Sequence, residues 1–161
     1  MTKEHKKILV AGIGNPLMGD DGLSEHVIAK LKLRTWPENV TLLNMGCSVL
    51  NHATELEQVD TLIIIDAIRA KTQPGTIHKV IPSGHLKSGF SDCTDTARDS
   101  HGFSILDAIE LARLKKGKPT EVIIYGIEPF HCHPGIGLSP AISNSVSILE
   151  RLVFDEIMGH L

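Results

Sequence analysis

Apolar positions along this chain fall into two patterns. Short, nearly unbroken runs rich in strand formers occupy Ile8 to Ala11, Val40 to Met45, Thr61 to Ile65, Thr76 to Ile81 and Glu121 to Ile127, and they read as five strands. Between them the apolar residues recur at helical spacing. Leu23, Val27, Ile28 and Leu31 form one stripe, Val49, Ala53 and Leu56 a shorter one, and Ile105, Ala108, Ile109 and Ala112 a third. Ile142, Val146, Leu149, Val153 and Ile157 make a long fourth. Helices are therefore predicted near residues 21 to 33, 48 to 58, 101 to 116 and 139 to 157. Ser139-Pro140 caps the last, and Gly117 with Pro119 stops the third. Strands alternating with helices predict an α/β fold: three αβα layers around a mostly parallel five-stranded sheet with helices on both faces. Residues 1–161 read as a single domain, with no internal repeat.

In such sheets ligands bind beyond the carboxyl ends of the strands, so chemistry is sought in the loops there. The first strand runs into Gly12-Ile13-Gly14-Asn15-Pro16, and Asp20 and Asp21 follow before the first helix. The glycines suggest a dinucleotide or phosphate loop, but Asn15-Pro16-Leu17 breaks the Gly-x-Gly-x-x-Gly fingerprint and the phosphate-loop lysine is missing. Two acids at a helix N-terminus repel anions and attract cations. Read as structure alone, they are cap and first-turn acids. The third strand ends in Asp66, a carboxylate closing an apolar run. Pro82 to about Ser100 is a long loop dense in Ser, Gly, Asp and Thr, from which His101 enters the third helix, and Glu128 to Leu138 is a second loop rich in Gly, Pro and His. Two or three carboxylates and an imidazole on one rim make a mixed oxygen and nitrogen site for a divalent transition metal. Within His131-Cys132-His133, alternate side chains point to opposite sides, so only the two histidines could share a ligand.

Composition narrows the function classes. Hydrophobic residues make up 42%, charged residues 22%, and the net charge is -3, which gives no sign of a nucleic-acid partner. Cys47, Cys93 and Cys132 are odd in number and widely spaced, without a Cys-x-x-Cys pair. They indicate no disulfide framework and fit the reducing cytoplasm, with Cys47 read as a small buried residue and Cys93 as a loop thiol. The polar start leads directly into the first strand, with no visible export signal, and no apolar run approaches the ~20 residues that span a bilayer. No serine, cysteine or threonine sits in a nucleophile signature, and the cysteines lie outside the predicted cluster.

Gly12-Ile13-Gly14-Asn15 followed by Gly19-Asp20-Asp21-Gly22, then Ile65-Asp66-Ala67, Ser100-His101, Gly126-Ile127-Glu128-Pro129 and Gly137-Leu138-Ser139-Pro140 resemble the hydrogenase maturation endopeptidases over nearly the whole length. The resemblance implies an α/β enzyme that removes the C-terminal extension of a nickel-iron hydrogenase large-subunit precursor after its metal centre is assembled. It implies Asp21, Asp66 and His101 as the catalytic and metal-engaging residues. The nickel is delivered by the substrate, without an organic cofactor, and a monomer is the expected state. Where that family carries an Asp-x-Gly-Thr type stretch after the second strand, this chain has Asn44-Met45-Gly46-Cys47. The rival function on the same fold is a non-catalytic metal- or nucleotide-binding module that senses the precursor or a small ligand.

Overall fold

A computed structural model describes residues 5–82, 91–92 and 104–161. In chain order the elements are β1 (Ile8–Ile13), α1 (Leu23–Leu31), β2 (Val40–Gly46), α2 (Ala53–Leu56), β3 (Thr61–Arg69), β4 (Ile77–Val80), β5 (Ser91–Asp92), α3 (Ile105–Lys116), β6 (Glu121–Ile127) and α4 (Pro140–His160). Turns of 3-10 helix at Gly19–Gly22 and Val49–His52 precede α1 and α2. The main strands lie in the order β2-β1-β3-β6-β4. β1 is parallel to β2 and β3, β3 is parallel to β6, and only the edge strand β4 runs antiparallel. β5 adds two residues antiparallel to the end of β3. The predicted mostly parallel, five-stranded α/β sheet is what forms.

Alternation along each buried strand divides the core into two. Ile8 and Val10 of β1, Ile63 and Ile65 of β3, and Ile123 and Tyr125 of β6 face α1 and α4. Leu9 and Ala11, Leu62 and Ile64, and Val122 and Ile124 face α2 and α3. Burial on both sides explains why the central strands read as continuous apolar runs rather than alternating ones. Ile8 lies level with Val40 and Thr61, and Thr61 with Glu121, so the four parallel strands start together and their carboxyl ends share one rim.

Element ends differ from the sequence pattern in instructive ways. α1 begins at Leu23 rather than residue 21, because Asp20 and Asp21 are taken up in the tighter 3-10 turn. α3 begins at Ile105: Ser104 is its N-cap, accepting the Asp107 N–H while the Asp107 carboxylate accepts the Ser104 N–H. The predicted start at His101 is thus four residues too early, and His101 itself lies outside the described residues. β3 does not stop at Asp66 but continues to Arg69, paired with β6 as far as Ala67 and with β5 at Ile68 and Arg69. Among the described residues no helix is long and apolar enough to cross a membrane.

Candidate functional site

The rim opens between β1 and β3. From β1 the chain moves to β2 on one side, then returns across to β3, so the connections after β1 and β3 part and leave a crevice. The last β3 residue paired with β1 is Ile65, opposite Gly12, and Asp66 is the first beyond it. Asp66 therefore stands where β1 has parted from β3, while β1 still pairs with β2 at Ile13 and β3 itself goes on.

The glycines after β1 serve close packing. Gly14 has φ +129°, and a Cβ there would fall 2.0 Å from the backbone oxygen of Asp21. A Cβ on Gly22 would meet the Cα of Pro16 at 2.7 Å. Only glycine lets this loop fold down onto the turn that carries the two acids. The Ser24 hydroxyl donates to the Ile13 carbonyl at 2.7 Å, and the Gly14 N–H to the Gly46 carbonyl at 3.2 Å, which ties the loop to the end of β2.

Asp20 and Asp21 are both buried, yet they are used differently. Asp20 accepts the N–H groups of Phe130 (3.0 Å), His131 (3.1 Å) and Ser139 (2.7 Å) and the Ser139 hydroxyl (2.9 Å). Its carboxylate stitches the loop after β6 to the 3-10 turn and lies at the N-terminus of α4, where negative charge is favoured. Further backbone bonds from Gly19 to Gly135 and from Gly135 to Leu17 close the same seam. Asp21 instead accepts the Asn15 N–H at 2.8 Å within its own loop, and Asp66 the N–H of its neighbour Ala67 at 2.8 Å.

The half-buried thiol of Cys47, one residue past β2, lies within reach of the charge of Asp21 and Asp66. Burial pushes its pKa up, and the charges of Asp21 and then Asp66 push it further. Both carboxylates therefore act on one thiol at the crevice. The sequence pattern sets the cysteines outside the predicted cluster, whereas the charge of two of its predicted members, Asp21 and Asp66, reaches Cys47. The signal was available, since Gly46-Cys47 follows a strand parallel to β1 and so belongs on the same rim.

Two oxygen donors of the predicted set thus share the crevice, and the third, His101, lies outside the described residues. Among the described residues no group of three His, Cys, Asp or Glu side chains is arranged to hold a metal ion. Two carboxylates suit a hard or borderline divalent cation but leave most of its coordination to other donors.

The loop after β6 carries no such cluster either. His131 and His133 do share a side, their rings stacked with centroids 5.5 Å apart, and the buried Nδ1 of His131 has no hydrogen-bond partner. Cys132 turns into the core and is disulfide-bonded, where the cysteine spacing had indicated reduced thiols. At the end of β6, buried Glu128 accepts from the Ala70 N–H (2.7 Å) and from the N–H and hydroxyl of Thr72 (3.2 and 3.1 Å). Burial pushes its carboxyl up, but these donors outweigh it and hold the pKa below the ordinary value. A cavity of about 420 Å³ lined by Lys7, Glu38, Asn39, Thr41 and Glu55 opens at the opposite pole, under the amino ends of β1 and β2, away from this chemistry.

Residues 25–156 match the family model HycI, hydrogenase maturation protease, a match that begins just after Asp21. The hydrogenase 2 maturation protease of Escherichia coli K12 is 27% identical over 150 residues, covering 91% of this chain and 88% of that protein. A Methanocaldococcus jannaschii protein is 39% identical over 77 residues, 47% of this chain and 50% of its own length. Against some curated relatives, then, the matched stretch is only 50% or 60% of their length. Among solved structures, the hydrogenase maturating endopeptidase HybD from E. coli superposes with a TM-score of 0.81, covering 95% of this chain and 93% of that one. At 23% identity that likeness shows the fold alone.

Proposed function

The chain belongs to the hydrogenase maturation protease family, and on that premise we propose that it is a cytoplasmic endopeptidase that cuts the C-terminal extension from a nickel-iron hydrogenase large-subunit precursor. The nickel arrives in the precursor and marks it as ready for cleavage. What supports this reading is that Asp21 follows β1, Asp66 is the first β3 residue past the pairing with β1, and the charge of both reaches Cys47. In the proposed mechanism Asp21, Asp66 and His101 engage the precursor's nickel and so align the bond to be cut.

Water is the attacking group. Cys47 is the nearest alternative, but burial and two carboxylates favour its protonated thiol, the reverse of an activated cysteine. Nickel in the precursor polarises the scissile carbonyl or lowers the pKa of the attacking water. A carboxylate of the pair or His101 accepts the water proton, the C–N bond breaks, and the proton leaves with the new amine. No organic cofactor takes part, and a monomer suffices.

A gel decides between this and a sensor that only binds. Purified protein mixed with nickel-loaded precursor should shorten it, whereas precursor lacking nickel should stay whole. Asp21→Ala, Asp66→Ala and His101→Ala should each abolish the cut. With so few donors of its own, the isolated protein should carry little stoichiometric nickel or zinc. Tight stoichiometric metal, or full processing without nickel, would favour an ordinary metallopeptidase; an uncut nickel-loaded precursor would leave a binding module.

A further inference from the structure

The two edges of the sheet are built differently. β4 is four residues long and carries His78 and Lys79, the kind of short, charged edge that discourages pairing. β2 is seven residues long, Val-Thr-Leu-Leu-Asn-Met-Gly, with no charge and no proline. It is terminal in the sheet order, so its outer side pairs with no strand among the described residues.

The register tells which groups face outward. The Ile8 N–H donates to the Asn39 carbonyl, and Ile8 lies opposite Val40. In a parallel ladder that pattern turns the N–H groups of Thr41, Leu43 and Met45 toward β1, and those of the alternate residues away. Val40 spends its N–H on the Pro37 carbonyl at 3.0 Å. Leu42 and Asn44 are left with N–H and C=O both directed off the sheet, four groups on the edge just before the register shifts by one residue between Asn44 and Gly46. This edge runs into the crevice: Gly46 accepts from Gly14, and Cys47 follows beside Asp21 and Asp66. From Leu42 to Gly46 is about 13 Å at ~3.3 Å per residue.

Resting on the function proposed above, we infer that the C-terminal segment of the precursor binds as an extended strand along the outer edge of β2, hydrogen-bonded to Leu42 and Asn44. Its scissile bond is thereby carried to the Asp21 and Asp66 end. Backbone pairing of this kind reads an extended chain rather than particular side chains. An uncharged edge adds no charge preference of its own, which leaves identity to the nickel.

Asn44→Pro tests this directly. The residue is exposed, its N–H points away from β1, and Leu43 before it is already extended, so the inner ladder survives. Asn44→Ala is the matched control: it loses the same side-chain bond to the Gly46 N–H but keeps the backbone donor. With nickel-loaded precursor, Asn44→Pro should raise KM about tenfold, the scale of one hydrogen bond, with kcat within about threefold. Asn44→Ala should stay within about twofold in both. In parallel, the Leu42 and Asn44 amides of the Asp66→Asn protein should gain hydrogen-exchange protection when the precursor is bound, a readout that stands even if Asn44→Pro fails to fold. If the unaltered protein cuts the precursor while the amides gain nothing, or Asn44→Pro matches Asn44→Ala, this inference is wrong and the proposed function stands. If the unaltered protein does not cut, both fall. Protected amides in the free protein together with a dimeric mass would assign the edge to a second copy and overturn the inference.

Discussion

Among the described residues four acids are buried near the carboxyl rim, and they divide into two regions. Asp20 and Glu128 belong to a clasp, Asp21 and Asp66 to the crevice. Exposure does not separate them, at 0% and 5% against 3% and 5%. What marks the clasp pair is the reach of its hydrogen bonds. Asp20 takes donors 110 to 119 residues away and Glu128 donors 56 to 58 residues away, so each closes a long loop. Asp21 accepts the Asn15 N–H from six residues away and Asp66 the N–H of the next residue, bonds that hold each carboxylate to its own backbone segment. A buried acid that closes long loops is accounted for by the fold, whereas Asp21 and Asp66 are marked as candidates for chemistry by the charge that both exert on Cys47 at the rim.

The largest expected effect tests the crevice half of that comparison. Asp66→Asn keeps shape and removes charge, so processing of nickel-loaded precursor should fall by about 100- to 1,000-fold, with Tm nearly unchanged. Asp20→Ala should do the reverse. Stranding several buried donors costs about 3 kcal/mol, a drop of roughly 6–12 °C at this chain length, while cleavage well below Tm should persist. Calorimetry and the gel assay together check both, and an exchange of the two phenotypes would break the distinction.

A finer test uses acid. The folded pKa of Glu128 lies below its ordinary value of 4.5. Its contribution to stability is therefore fully present above 4.5 and is lost as pH falls through the lower folded value. Glu128→Gln should flatten the fall of Tm with pH across that window; an unchanged slope would remove Glu128 from the clasp. The smallest effect concerns Cys47. Its raised pKa should make alkylation near neutral pH slower than for a free cysteine, and Asp21→Asn should speed it, as read on the Cys47 peptide by mass spectrometry. No change on Asp21→Asn would separate the thiol from that carboxylate.

Much of the fold was legible because its cause is local. Apolar runs and helical stripes set element type residue by residue, and alternation of strand and helix leaves few topologies. The same logic assigns Asp21 and Asp66 to the carboxyl ends of two strands, and those strands are parallel. It misjudged the start of α3, because the capping box of Ser104 and Asp107 outweighs an apolar stripe in deciding where a helix begins. It also ended β3 too early, since pairing with β6 and β5 carries the strand past its acid.

What the sequence determined by itself was therefore the order and kind of elements, the parallel sheet, and the strand ends on which chemistry could sit. Only the tertiary structure decided that Asp20 closes the seam to the loop after β6, that Glu128 is a clasp, that the charges of Asp21 and Asp66 both reach Cys47, and that among the described residues no strand pairs with the outer side of β2. The physical reason is range: periodicity is written within a few neighbouring residues, whereas a carboxylate's role depends on which donors and charges the folded chain brings to it from 50 to 120 positions away.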